Sequence, residues 1–394
     1  MTRHDNNSES QVSALYRPLW LGSLGFTFLT FGLPVFGKAL GASAVAIGGL
    51  YSVFTAATMV LRPVVGWALD RYGRRRFLVT ALAGYSVTMG LFACADTVQG
   101  LYLARLAQGI ASSFMWVSVN TITADLASVD DRGVAMGRVA EIPTRGGICG
   151  ALAGFVLMGF LPTEVAWKVA FAGYAIAAAV GSYLAWKRVP ETLPSVPIAS
   201  ARRYAVSGDL AKLMLIVFTT AVSAAMISPI YVVFLQDKFT TDIVSLAWAI
   251  FPAGVVYSFL PSRLGGLSDR YGRAAMMAIG LIASGLLSLL LPGLPNVLWL
   301  AVLYTLTAVG WSVADPAETA MVADLVGRDT RGRGYGLYDF VNSLGATIGP
   351  LLGGWLYDNV GKPVPFYLNG IVLGASAVWI LSLMRSSHHK AKDH

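Results

Sequence analysis

The chain has 394 residues, of which 56% are hydrophobic and only 13% are charged. Soluble domains carry roughly 25% charged residues, so this composition excludes a water-soluble globule and favours a protein embedded in a membrane. The formal net charge of +8 does not indicate a nucleic-acid-binding protein, because the positive residues fall in short loops between apolar runs.

Twelve apolar segments are predicted to cross a bilayer as helices, because open strands cannot satisfy their backbone groups in lipid. The predicted fold is an all-α integral membrane protein with two six-helix bundles. The segments lie at 17–37, 44–68, 77–96, 100–124, 134–161, 165–187, 211–235, 242–265, 275–293, 296–323, 333–357 and 364–385. The chain then divides into a tail at 1–16, an N-terminal bundle at 17–187, a linker rich in proline and charge at 188–210, a C-terminal bundle at 211–385 and a tail at 386–394.

The positive residues predict the orientation of these segments. Three of the 29 lysines and arginines, Arg62, Arg105 and Arg145, fall within segments. With the N-terminus in the cytoplasm, 22 of the others lie on the cytoplasmic side and four on the outer side. Both termini are therefore expected to be cytoplasmic.

The two bundles repeat each other in sequence. The cationic loop Gly66–Arg76, after the second segment, recurs after the eighth as Gly265–Arg273, 199 residues later (265 − 66). Asp125-Leu126 matches Asp324-Leu325 at the same offset. An even number of helices per half makes the copies parallel repeats, pseudo-symmetric about an axis along the membrane normal. Such repeats place a substrate site at their interface near the midplane.

The loop reads Gly-x-x-x-Asp-Arg-x-Gly-Arg in both copies, and it resembles the hallmark of the major facilitator superfamily of transporters. The resemblance extends over essentially the whole chain. It implies alternating access by two rocking bundles, with this loop locking the cytoplasmic side when the protein opens outward. The alternative is that the arginines only set the topology. The implied gate residues are Gly66, Asp70, Arg71, Gly73, Arg74, Gly265, Asp269, Arg270, Gly272 and Arg273.

Elementary physical chemistry agrees with a gate at this loop. Asp70, at a helix end, can pair with nearby arginines or face the positive N-terminus of a neighbouring helix. Gly66 and Gly73 permit a close backbone approach and a tight turn. The loop is therefore expected to hold helix ends together.

Segment 4 contains Arg105-Leu-Ala-Gln108-Gly109, which is similar to the Arg-x-x-Gln-Gly pattern of proton-coupled members of that superfamily. An arginine inside a membrane is costly and is by default a functional candidate. Because Arg105 lies near the outer end of its segment, a side chain that reaches toward the headgroups is the alternative.

Segment 5 carries Glu141 and Arg145 four residues apart, so both side chains lie on one helical face and can neutralise each other. A substrate or a conformational change that separates them would release the carboxylate for coupling. A purely structural ion pair is the alternative.

Segment 10 places Asp315 nine residues from its cytoplasmic end at Asp324, which is roughly 13 Å into the membrane. Glu318 follows three residues later on a similar face. Two buried carboxylates this close do not both ionise easily, and a carboxyl group that keeps its proton suits a proton carrier. Asp339 in segment 11 is a further candidate. The alternative is that these acids pair with arginines of the other bundle and hold the two bundles together.

Aromatic and amide side chains at a suitable depth are predicted to line a roomy, amphipathic substrate cavity. Taken singly, each of them is more often a packing residue. They are Phe28, Trp116, Asn120, Trp248, Trp311, Tyr338 and Asn342.

Glycine runs in segments 5 and 11 are predicted to allow close packing at the seam between the bundles. The drug/proton antiporters of the superfamily show Gly-x-x-x-Gly-Pro-x-x-Gly-Gly in segment 5. Here Ala151 stands in place of that proline, and the full pattern occurs instead at Gly345–Gly354 in segment 11. This departure favours, as an alternative, a symporter that imports a small metabolite.

Together these features predict a proton-coupled transporter that exports amphipathic small molecules across the inner membrane of a bacterium. Its expected partners are a small-molecule substrate, protons and the lipid bilayer. It is expected to act as a monomer, with no cofactor, metal or nucleic acid. No Gly-x-x-x-x-Gly-Lys-Ser/Thr loop supports ATP-driven pumping, and no nucleophile–base constellation indicates an enzyme. A non-transporting membrane sensor or scaffold is the second alternative.

Overall fold

A computed structural model describes residues 11–127, 132–192, 208–239, 243–260, 270–325 and 331–390. In these ranges the regular structure is helical. The helices are α1 Tyr16–Gly22, α2 Gly25–Ala39, α3 Ala44–Tyr72, α4 Arg74–Cys94, α5 Val98–Leu126, α6 Arg132–Phe160, α7 Thr163–Arg188, α8 Gly208–Lys238, α9 Ile243–Phe259, α10 Arg273–Leu290, α11 Val297–Leu325, α12 Arg331–Asn359 and α13 Val364–Lys390, with a 3₁₀ turn at Leu291–Gly293. Helices α1 and α2 together form the first predicted segment, so segment 2 is α3 and segment 12 is α13.

The helix starts show the internal repeat directly. Helices α3 to α6 begin at residues 44, 74, 98 and 132, and α9 to α12 begin at 243, 273, 297 and 331, a constant shift of 199 (243 − 44 for the first pair). The packing repeats as well. Helix α6 lies against α2 as α12 lies against α8, and α4 contacts α5 and α7 as α10 contacts α11 and α13. The prediction of two six-helix bundles of one design is confirmed.

Nine stretches of the described residues are helical, long and apolar enough to cross a membrane, and the first, Gln11–Ala39, contains both α1 and α2. Helices α5, α9 and α12 complete the set of twelve. Helix α9 is shorter, at 17 residues, whereas α5 and α12 have 29 residues each but carry charged, hydroxyl and glycine residues. Polar helices are tolerated in a bilayer where they face protein or a water-filled cavity. Functional side chains are therefore expected on α5 and α12.

The helices group into two compact units. Unit 1 holds α1, α2, α4 to α7 and the part of α3 from Gly49 onward, whereas unit 2 holds α8 to α13 together with residues 43–48. Each unit therefore has an interior of its own.

An aromatic cluster around Trp167 fills the interior of unit 1. Trp167 is fully buried, its ring stacks on that of Phe36 at 4.2 Å, and its Nε1 donates to the carbonyl oxygen of Phe92 at 2.8 Å. Phe28 lies in the same cluster, with its ring 5.9 Å from Trp167 and 5.7 Å from Phe171. Aromatic pairs of this kind add about 0.5–1.5 kcal/mol beyond their burial. Phe28, which the sequence suggests as a cavity residue, lies instead in this core, because rings surround it.

A chain of hydrogen bonds crosses the interior of unit 2. Ser223 of α8 donates to Oδ1 of Asn369 at 2.7 Å, and Nδ2 of Asn369 donates to the hydroxyl of Ser288 at 2.9 Å. Ser288 in turn donates to the carbonyl oxygen of Phe366 at 3.0 Å. Buried polar groups that are paired in this way do not destabilise a core. These hydrogen bonds therefore hold α13 against α8 and α10.

The glycine runs allow helices to pack closely within each unit. A Cβ atom on Gly150 of α6 would overlap the carbonyl oxygen of Leu24, just before α2. A Cβ atom on Gly353 of α12 would overlap the carbonyl oxygen of Met226 in α8. Glycine alone permits these approaches. The runs therefore hold the fifth segment of each bundle against the first.

The first turn of α3, residues 43–48, is fastened to α12 inside unit 2. The carboxylate of Asp358 accepts hydrogen bonds from the backbone N–H groups of Ala44 at 3.2 Å and Val45 at 2.9 Å. These N–H groups lack partners within their helix and carry partial positive charge, so a carboxylate is favourable there. Gly354, one turn earlier on α12, leaves room for the backbone of Ala44. The contact joins residues 314 positions apart.

Candidate functional site

Glu318 and Tyr338 form a buried, hydrogen-bonded pair in unit 2. Glu318 lies on α11 and is 9% exposed, and Tyr338 lies on α12 and is 8% exposed. The phenol group of Tyr338 donates to Oε1 of Glu318 at 2.8 Å. A buried carboxyl group is stable when protonated, or when ionised with donors such as this hydroxyl. Tyr338 therefore gives this buried carboxyl group a polar partner within its own unit.

The other two acids proposed for coupling in this half lie close in sequence to the pair. Asp315 lies on α11, one turn before Glu318, and its side chain falls outside the described residues. Asp339 follows Tyr338 on α12 and is exposed. Glu318 is therefore the acid whose buried surroundings the structure defines. Sequence reasoning assigned Glu318 to coupling and Tyr338 to the cavity, and the structure brings the two side chains together.

Glu141 and Arg145 form the ion pair that their spacing on α6 indicates. Nη2 of Arg145 lies 2.6 Å from Oε2 of Glu141, and the two side chains are 66% and 59% exposed. Charges exposed to hydrocarbon are costly, so this face of α6 is expected to face water in a cavity rather than lipid. Exposed ion pairs contribute only about 0–1 kcal/mol. A substrate could therefore open the pair at little cost.

Arg105 on α5 is buried in unit 1 and does not extend toward the headgroups. Its Nε donates to the carbonyl oxygen of Leu50 at 3.0 Å, and its Nη1 donates to Oε1 of Gln108 at 2.7 Å. The guanidinium group lies over the rings of Tyr51 and Phe54, at 4.8 Å and 4.6 Å. Cation–π contacts are stronger when the cation is desolvated. A carbonyl, an amide and two aromatic faces thus stabilise the charge and join α3 to α5.

Arg74, the first residue of α4, is the centre of the contacts around the cationic loop. Its buried guanidinium group forms an ion pair with Asp125 near the end of α5 and also donates to the carbonyl oxygen of Thr192 at 3.4 Å. Its backbone N–H group donates to Oε1 of Glu191, just after α7, at 2.7 Å. One residue thereby connects α4, α5 and the chain that follows α7. These contacts favour a structural role for Arg74 beyond setting the topology.

The loop glycines differ in what they permit. Gly73 and Gly272 have φ angles of 103° and 92°, a conformation that other residues rarely adopt, and each immediately precedes a helix. The carboxylate of Glu191 lies within 2.8 Å of where a Cβ atom on Gly73 would be. No described atom lies within 4 Å of a Cβ atom on Gly66, so the close approach expected there is absent from the described residues. Gly73 is therefore the glycine that makes the turn.

The remaining gate candidates lie at the two copies of the loop. Arg71 is exposed, and its guanidinium group lies 5.7 Å from the rings of both Trp67 and Tyr72. Arg270 is also exposed, and its guanidinium group lies 5.5 Å from the ring of Tyr271. Arg273 is the first residue of α10. Outside the described residues lie Gly265, Asp269 and the side chain of Asp70. The described part of the second copy therefore repeats the turn and the stacked arginine of the first.

The other proposed cavity residues fall into two groups. Trp248 is 69% exposed on α9, and Asn120 and Asn342 are exposed on α5 and α12. Trp116 and Trp311 are half-buried, each against the apolar core of its own unit. The first group is available for contact with a substrate, and the second group contributes packing.

Two residues of the loop network escaped the sequence prediction. Asp125 could have been found, because it recurs as Asp324 in the second half, and a repeated acid next to a repeated basic loop suggests an ion pair. Glu191 carries no such signal, since Lys390 stands at the matching position. Its contact with the start of α4 joins residues 117 positions apart. Only the folded structure shows it.

Comparisons with known proteins agree with this architecture. The sequence model of the family described as Major Facilitator Superfamily matches residues 19–208 and 213–394. The chain is similar to Multidrug resistance protein 1 of Bacillus subtilis, with 26% identity over 96% of this chain and 98% of that protein. It is also similar to Quinolone resistance protein NorA of Staphylococcus aureus, with 24% identity over 97% of this chain and 98% of that protein.

Solved structures show the same fold. One is a bacterial homolog of the human lysosomal transporter Spinster, with a TM-score of 0.77 and 15% identity, over 95% of this chain and 96% of that one. Another is the peptide transporter POT, with a TM-score of 0.79 and 12% identity, over 98% of this chain and 99% of that one. At such identities these structures indicate the fold alone.

Proposed function

The chain belongs to the major facilitator superfamily, and we propose that it is a proton-coupled exporter of amphipathic small molecules that works by alternating access. It is a multi-pass membrane transporter of the drug-efflux type rather than an enzyme. The named relatives are multidrug and quinolone resistance proteins, which supports export of amphipathic compounds. The distribution of positive residues, 22 against four, supports the placement of both termini in the cytoplasm.

The proposal of proton coupling rests on the buried, hydrogen-bonded pair of Glu318 and Tyr338. An ionisable group inside a membrane protein is a functional candidate by default, because its burial is costly. In its neutral form the carboxyl group needs little solvation, and in its ionised form the Tyr338 hydroxyl, 2.8 Å away, supplies a hydrogen bond. The same carboxyl group can therefore bind a proton when it is accessible from one side of the membrane and release it when it is accessible from the other.

Each cycle then exchanges protons for substrate. An amphipathic substrate enters the cavity from the cytoplasmic side, and protonation of Glu318 from the outside accompanies its release there. The exposed Glu141–Arg145 pair, at 2.6 Å, offers a second polar contact that a charged substrate group can open. Exposed aromatic side chains such as Trp248 supply apolar area for a flat molecule.

Dye flux in proteoliposomes tests the direction of coupling. The full-length protein is reconstituted, and ethidium and rhodamine 6G serve as amphipathic probes. Export by antiport predicts dye uptake when the lumen is acidic, because protons leave as dye enters. Uptake that requires an acidic exterior would replace this proposal with proton-driven symport. Failure of both gradients to drive either dye would contradict an amphipathic exporter.

The substitution Tyr338→Phe tests the hydrogen bond itself. Phenylalanine keeps the ring and removes only the donor to Glu318, so the ionised carboxylate loses stabilisation and the protonated form is favoured. The pH midpoint of dye transport is expected to move to higher pH by about one unit. Tyr367→Phe, at an exposed position on α13, is the matched control and should leave the midpoint in place. An unchanged midpoint in Tyr338→Phe would show that the contact has no part in coupling.

A further inference from the structure

A cationic cavity of about 490 Å³ lies in unit 1, between the start of α4 and the end of α7. We propose that this cavity binds the phosphate headgroup of an anionic membrane phospholipid. Its lining shares no residue with those that we propose for proton coupling and substrate contact. Its lining consists of Arg75, Arg76, Val79, Thr80, Trp186 and Glu191.

Two arginines and one acid line the cavity, so its lining keeps a net positive charge. Oε1 of Glu191 accepts from the backbone N–H groups of Arg74 at 2.7 Å and Thr192 at 3.0 Å. Nη2 of Arg75 donates to the carbonyl oxygen of Trp186, which is a neutral acceptor. Arg76 is exposed, and its guanidinium group has no ion pair or hydrogen bond within the described part of the chain. A phosphate oxygen would give this arginine a charge-assisted hydrogen bond.

The cavity opens on the side of both helices that faces lipid. On α4, Arg76 and Thr80 lie on the same helical face as Val87 and Leu91, which are 64% and 40% exposed. We expect this apolar face of α4 to contact acyl chains, so a lipid lying along it would bring its headgroup to Arg76.

Helix α7 presents a matching face. Ile176, Val180 and Tyr183 are exposed at helical spacing, and they lead to exposed Trp186 at the edge of the cavity. Tryptophan and tyrosine are enriched where helices cross the headgroup region. Lys187 lies with its Nζ 4.8 Å from the Tyr183 ring. This end of unit 1 is predicted to be cytoplasmic, and the cytoplasmic leaflet carries anionic lipids that give it a negative surface potential.

The internal repeat indicates that these cations are not needed for the loop itself. Arg74 recurs as Arg273, but Arg75 and Arg76 correspond to Ala274 and Ala275 in the second half. The loop thus forms a helix start without the pair. A role specific to the first half, such as binding a lipid phosphate, accounts for their presence there.

Thermal unfolding of the full-length protein in a neutral detergent tests the proposal. Phosphatidylglycerol is the probe, and phosphatidylethanolamine and inorganic phosphate are the comparison additions. We expect phosphatidylglycerol to raise the unfolding temperature of the wild type and the other two to leave it nearly unchanged. Arg76→Gln is expected to weaken phosphatidylglycerol binding about tenfold while its unfolding temperature without lipid stays at the wild-type value.

Arg17→Gln is the matched control, because Arg17 is also exposed at the predicted cytoplasmic end of unit 1 but does not line the cavity. It should keep the wild-type response, and native mass spectrometry should count the same number of retained phosphatidylglycerol molecules on it as on the wild type. Equal retention by Arg76→Gln would overturn the site. An equal response to inorganic phosphate would show a free-anion site, and an equal response to phosphatidylethanolamine would show general lipid solvation. Either result would overturn the proposal.

Discussion

Replacing Glu318 with glutamine is expected to lower gradient-driven dye uptake to the level of empty liposomes. The amide keeps the size of the side chain, and its oxygen can still accept the hydrogen bond from Tyr338 that now measures 2.8 Å. The protein is therefore expected to fold. The amide cannot bind and release a proton, so the step that links the proton gradient to substrate movement is lost. Uptake into vesicles with an acidic lumen is the measurement.

Two controls separate lost coupling from lost structure. Dye exchange without a pH gradient should persist in Glu318→Gln, because exchange needs the cavity and the conformational change but no net proton transfer. Glu164→Gln, at an exposed position in the first turn of α7, should keep wild-type uptake. If Glu318→Gln still accumulates dye in response to an acidic lumen, another group carries the proton.

The substitution Asp125→Asn is expected to lower the free energy of unfolding by about 2 kcal/mol. The guanidinium group of Arg74 is 3% exposed, and it would lose its carboxylate partner while remaining buried. Asp125 itself is 28% exposed, so the effect should fall between those of a buried and a surface ion pair. Equilibrium unfolding of the purified protein in detergent micelles measures the change.

A double-mutant cycle shows whether the effect belongs to the pair. Arg74→Gln combined with Asp125→Asn should be less destabilising than the sum of the single changes by about 1–2 kcal/mol. Asp96→Asn removes the exposed ion pair with Lys168, now at 2.7 Å, and should leave the unfolding transition unchanged. Strict additivity of Arg74→Gln and Asp125→Asn would mean that the ion pair does not hold α4 to α5.

The membrane helices and their repeat were predictable because they follow from strong, local signals. A run of about 20 apolar residues has few alternatives to a membrane helix. The repeat was visible as identical residues at one offset, and the helix starts at 44 and 243 carry the same shift. Gly73 before a helix marked a turn, and its φ angle of 103° shows why glycine is present. Each of these inferences needed only residues close together in the chain.

The side-chain surroundings were harder to predict, because they depend on which helices meet. The Glu141–Arg145 pair could be predicted from the sequence, since both residues lie on one helix. Tyr338 and Glu318 lie on different helices, and no pattern in the sequence brings a phenol to that carboxylate. The residue type and depth of Phe28 led to the prediction that it lines the cavity. The structure surrounds it with four neighbouring rings and so places it in the core.

The surroundings of Arg105 show the same limit. Sequence reasoning weighed a functional cation against a side chain that reaches for the headgroups. The structure shows a third arrangement, with the charge enclosed by the carbonyl oxygen of Leu50, Gln108 and the rings of Tyr51 and Phe54. All of these groups except Gln108 come from α3, so helix packing and not local sequence determines them.

The attachment of residues 43–48 to α12 affects how the protein can be divided. The linker at 188–210 suggests a natural place to separate two halves, yet a fragment that starts at residue 201 lacks part of its own compact unit. Such a fragment would leave Asp358 without the N–H groups of Ala44 and Val45, and Gly354 without the backbone that it contacts. Two fragments divided at the linker must therefore be produced together, so that the N-terminal one supplies the missing turn in trans.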